Sequence, residues 1–189
     1  MGDASARLLP LAVVGEGALA IAGGLWLYLG AHPVGLGATW TALAAGVALA
    51  ALLALVQWWL QAHAPPLEPV QALRDLQRTV FEPLFGPLSL AEIAAISALA
   101  GVGEEILFRG AMQAAFGWPL AAIAFGVAHL GLSARGWVLG LWAALAGAVL
   151  AALAIATGGL VAPIVAHAGY DFAAFVWIRR QARARGTSA

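Results

Sequence analysis

Residues 90–116 read LAEIAAISALAGVGEEILFRGAMQAAF, an apolar run interrupted by Glu104, Glu105 and Arg109. About twenty mostly apolar residues cross a bilayer as a helix, so this stretch is a membrane span with charges inside it. The rest of the chain is built of the same material. Of 189 residues, 63% are apolar and 10% charged, and the mean hydropathy is +0.92. One globular core cannot hide that much hydrocarbon. Further apolar runs cover 8–30, 37–60, 118–132, 137–157 and 160–178. The expectation is an all-α, polytopic membrane helix bundle of about six transmembrane helices, forming a single membrane domain over 1–189. The first run has no small-residue cleavage site and is expected to be retained as a span. His32, Pro33 and Gly35 turn the first two runs into a helical hairpin.

Between the second and third runs, 67–85 places Leu67, Val70, Leu73, Leu76, Val80 and Leu84 at spacings of three and four. Glu68, Arg74, Asp75, Arg78 and Glu82 take the other side. Such a segment lies along the interface, and its reading as a surface connecting helix is preferred to a lid or substrate guide. With six spans, Arg7, Arg74, Arg78, Arg135, Arg179, Arg180, Arg183 and Arg185 all fall on one side, which the positive-inside rule makes cytoplasmic, together with both termini. The lysine-free, alanine- and arginine-rich composition points to a high-GC bacterium and its inner membrane. Gly140, Ala144 and Gly147 would let helices approach closely.

Several functions are excluded by composition. Nine arginines balance nine acids, so no basic surface invites nucleic acid. Cysteine is absent, which removes disulfides, thiolate metal sites and a cysteine nucleophile. Asparagine is absent too, and Ser97 and Ser133, without a strong base at an argued helical distance, are not expected to be nucleophiles.

The chemistry must lie with the ionisable residues inside apolar runs: Glu16, Glu104, Glu105, Arg109, His129, His167 and Asp171. Each ionised acid near the bilayer centre costs about 2.5–3.5 kcal/mol, so an uncompensated pair costs roughly 5–7 kcal/mol. Glu105 and Arg109 stack on one helical face and can pair. Glu104 is rotated about 100° away and lacks that partner. His129 sits in an otherwise featureless run, and His167 and Asp171 are again four apart. Three runs thus turn polar groups toward one bundle interior. Two machines can be built from them. In one, two imidazoles and a carboxylate hold Zn2+ with an open position, and another carboxylate takes the proton of bound water. In the other, Glu104 helped by a histidine activates water without a metal, and His167 with Asp171 faces the developing oxyanion. Glu16, between two glycines in the first run, receives no role.

In order, Glu104 to Arg109 reads E-E-x-x-x-R, Phe125 to His129 reads F-x-x-x-H, and His167 to Asp171 reads H-x-x-x-D. Over about 88–178 the chain therefore resembles the CPBP family of intramembrane proteases, which includes the CAAX prenyl endopeptidases and the Abi bacteriocin-processing proteins. The resemblance implies an intramembrane glutamate or metallo endopeptidase acting on a membrane-associated substrate, either a prenylated CAAX-type chain or a leader peptide. It implies Glu104 as the water-activating residue, His129 as its partner, Glu105 and Arg109 as organisers of the helix, and His167 with Asp171 as ligand or oxyanion group. Were a metal bound, Glu104, His129 and His167 would hold it. The competing classes are a non-catalytic immunity or interaction protein and a small ion-coupled membrane protein. No two-part repeat or second set of acids favours the latter.

Overall fold

The computed structural model describes residues 2–30, 32, 34–131 and 136–186. Pro33, Ser133 and Arg135, named above, lie outside them. Seven helices and no strand are present among the described residues: α1 (Gly2–Leu29), α2 (Trp40–Ala62), α3 (Glu68–Phe85), α4 (Leu90–Phe116), α5 (Trp118–Ala128), α6 (Gly136–Thr157) and α7 (Val161–Ala184). Their ends follow local chemistry. Thr39 accepts a hydrogen bond from the Ala42 N–H to start α2, and Ser89 and Glu92 form a reciprocal capping box at the start of α4. Gly117, at φ 82°, separates α4 from α5 in a backbone conformation that side-chain-bearing residues avoid.

The helical membrane bundle is as expected, and the span count differs. Four helices, within α1, α2, α6 and α7, are long and apolar enough to cross, or five if α3 and α4, bent by 114° at their junction, count as one span. One expected span is lost at 118–132. Its helix, α5, has 11 residues, about 16 Å at 1.5 Å per residue, roughly half of a 30 Å hydrocarbon core. It ends inside the bundle at His129.

α2 packs most extensively along α7, α4 is sandwiched between α1 and α7, and α5 pairs with α6. The α5–α6 approach is close because both faces are small. A Cβ on Gly126 would lie 2.7 Å from the Ala144 methyl and from the Gly140 carbonyl oxygen, the role expected of Gly140 and Ala144. At one end of the bundle the loop before α2 joins the loop before α7, through Leu160 N–H to Gly35 O and Val161 N–H to Leu36 O. At the other end Phe85, Leu88, Ile93, Ile96 and Ile178 form a core against Leu8 and Leu9. Apart from the interior Arg109, the described arginines gather at this second end. Arg179 donates to Leu88 O, Arg74 donates to the carbonyls of Leu60, Gln61 and Ala64 that end α2, and Arg185 pairs with Glu82. Large apolar side chains such as Leu11, Ile21, Leu52, Ile123, Leu145 and Ile155 face outward, as the lipid-facing surface of a membrane protein requires.

α3 departs from its sequence pattern. Val70 and Leu76 are buried as expected, but Gln77 and Glu82 are buried as well, whereas Val80 is turned outward. A π-helical turn over Gln77–Phe81 is the cause. One extra residue in the turn rotates everything after it, so the three-and-four spacing no longer describes one face.

Candidate active site

α4, α5 and α7 bring the expected residues together. Glu105 and Arg109 are the foundation: both are almost wholly enclosed, at 0% and 1% side-chain exposure, and Arg109 Nη1 lies 2.8 Å from Glu105 Oε1. The guanidinium also stacks over the Phe125 ring at 4.2 Å, which ties α4 to α5. These contacts fall in a second π-helical stretch, Ile106–Met112, a distortion frequent at functional sites. The same Glu105 oxygen reaches His167 Nδ1 on α7 at 2.8 Å.

Each histidine is anchored at Nδ1, His167 by that carboxylate and His129 by the Phe125 carbonyl oxygen at 2.8 Å. Anchoring Nδ1 fixes the ring and turns Nε2 toward the interior. Both Nε2 atoms face Glu104 Oε2, at 3.7 Å for His129 and 3.8 Å for His167. Asp171 Oδ2 stands 3.6 Å from His167 Nε2. These separations exceed a direct hydrogen bond, and a water placed to one side of a 3.7 Å pair reaches both atoms at ordinary hydrogen-bond length. Glu104 Oε2 has no hydrogen-bond partner within the protein.

The four groups line a largely apolar cavity of about 1,050 Å3, its open mouth included. Leu73, Gln77 and Phe81 of α3 form one of its walls, so this segment is more than the surface connector preferred from sequence. Three wall residues carry no sequence signal. Trp142 Nε1 donates to Tyr170 Oη at 2.7 Å, and Tyr170 donates in turn to Gln57 Oε1 on α2. Glu16 faces the bundle: a Cβ on Gly103 would lie 3.0 Å from its Oε2, so α1 presses this acid against α4 beside Glu104.

Residues 86–173 match the family model described as type II CAAX prenyl endopeptidase, Rce1-like. This segment is similar to the CAAX prenyl endopeptidases. That segment, slightly under half of the chain, includes all six of Glu104, Glu105, Arg109, His129, His167 and Asp171, while Glu16, Gln57 and α3 lie outside it. No curated protein and no solved structure matches the chain. For a metal the fit is incomplete. Glu104 and the two Nε2 atoms are suitable donors, yet no group of three or more His, Asp and Glu residues among those described is arranged to hold an ion.

Proposed function

We propose that the protein is an intramembrane endopeptidase that hydrolyses a peptide bond of a membrane-associated, lipidated substrate with water activated by Glu104. The observation that carries this reading is the convergence of two oriented Nε2 atoms on Glu104 Oε2, a carboxylate oxygen without a hydrogen-bond partner in the protein, at the wall of an apolar cavity. Water held between Glu104 Oε2 and His129 Nε2 gives a proton to the carboxylate as its oxygen bonds to the scissile carbonyl carbon. The carbonyl π electrons move onto oxygen, and His167 Nε2, when it carries a proton, faces that oxyanion as a donor. Glu104 then returns the proton to the amide nitrogen, the C–N bond breaks, and an acid and an amine leave. Glu105 holds the ring that stabilises the charge through Nδ1, and Asp171 stays out of the bond changes.

The cavity supports a lipidated chain over a soluble peptide, because its lining is mostly apolar. By the positive-inside rule the arginine-rich end, with both termini, is assigned to the cytoplasm, and the lysine-free, alanine- and arginine-rich composition supports a bacterial inner membrane. A prenylated peptide ending in a CAAX-type sequence, and the same peptide without its lipid, test the assignment in proteoliposomes. Cleavage of the lipidated form at a rate at least about tenfold higher supports it. Equal rates would remove the lipid from the substrate description.

A further inference from the structure

Beyond the catalytic cavity, two hollows meet at Trp177, where α2 and α7 finish at the arginine-rich end. The first is polar, about 540 Å3, and walled by Gln61, Arg74, Gln77, Arg78, Gln181 and Arg185. No carboxylate lines it among the described residues. Arg74 spends its N–H groups on the carbonyls ending α2, which leaves its charge without a counter-ion there. Arg185 is neutralised by the buried Glu82 behind it. Arg78 is exposed and has no ion pair or hydrogen bond among the described residues. Three guanidinium groups thus face one compensating acid. The second hollow is apolar, lined by Ala54, Trp58, Ala173, Val176 and Trp177, with Arg180 at its rim.

A basic recess continuous with an apolar groove, at the end of a membrane bundle and beside two tryptophans, matches an amphiphile with an anionic head. The geometry points to a bound anionic phospholipid, its phosphate in the recess against Arg78 and Arg74 and one acyl chain in the groove beside Trp177. A soluble phosphate would leave the groove unused, and an acidic peptide would not need its apolar wall. Gln61 and Gln77 line both the recess and the catalytic cavity, so the lipid braces α3 against α2 where α3 walls the active site. The site is independent of hydrolysis.

The test uses the full chain in detergent, with lipid retention read by native mass spectrometry and stability by thermal unfolding. Phosphatidylglycerol, phosphatidylcholine with the same acyl chains, and inorganic phosphate are added separately. Phosphatidylglycerol is expected to be retained one to one and to raise Tm, while the other two do neither. Arg78→Gln is expected to lower retention about fivefold with the lipid-free Tm unchanged, Arg78→Lys to restore most of it, and Arg183→Gln, outside both hollows, to leave it near wild type. Equal retention of phosphatidylcholine, an equal Tm rise with inorganic phosphate, or a loss caused by Arg183→Gln and not by Arg78→Gln would each overturn the assignment. Glu104→Gln is expected to keep full retention, so failure of the protease reading and failure of this one are separable.

Discussion

Glu104 and Glu105 are adjacent, chemically identical and oppositely employed. Glu105 is enclosed between Arg109 and His167, whereas Glu104 lines the cavity and brings Oε2 to the two imidazole Nε2 atoms. Glu104→Gln should therefore lower hydrolysis by about 10²–10⁴, the worth of a general base, with Tm in detergent unchanged. A drop in Tm matching the lost activity would instead make Glu104 a packing residue. For the neighbouring pair the expectation reverses. Arg109→Met strands a buried carboxylate and should destabilise by about 3–5 kcal/mol, read as a lowered Tm, and adding Glu105→Gln should recover part of that loss. Strict additivity of the two changes would mean that the pair is not coupled. The i,i+4 spacings of Glu105 with Arg109 and of His167 with Asp171 made these contacts legible in the sequence, because one helical turn dictates them. Tyr170 and Gln57 were not legible. They meet across 113 positions, and nothing local to either residue marks the partner.

α5 and α3 show what hydropathy alone misses. A run such as 118–132 reads as a span because its composition is continuous, yet the helix stops at Ala128, where His129 takes φ −97° and ψ 3° and leaves the helical path. That stop delivers the imidazole to mid-bundle, and the small faces of α5 and α6 hold it in place. Gly126→Leu should force α5 away from Ala144 and Gly140 and draw His129 from Glu104. Activity should fall at least about tenfold, together with Tm, since backbone must move. An active and equally stable Gly126→Leu variant would mean that the α5–α6 spacing does not position the site. In α3 the polar face was misread for a different reason: the π-helical turn at Gln77–Phe81 adds a residue that no hydrophobic period contains, which buries Glu82 and turns out Val80.

On the scale of the whole molecule, the membrane bundle followed from composition and the one-sided arginines, because lipid enforces helices and outward apolar surface everywhere. The mutual arrangement of α4, α5 and α7 around one cavity did not follow from composition, and the three motifs only hinted that their polar groups converge. The topology has a direct check, since the native chain lacks cysteine. In intact cells a membrane-impermeant maleimide should label Val34→Cys, at the end shared by the loops before α2 and α7, and should label Gln181→Cys only after permeabilisation. The opposite pattern would invert the protein in its membrane. Hydrolysis itself is tested most directly by comparing peptides released from membranes that contain wild-type protein with those from membranes that contain equally stable Glu104→Gln. Glutamate-activated hydrolysis requires fragments that appear with the wild type alone and end at one consistent bond; identical peptide profiles from the two membranes would contradict it.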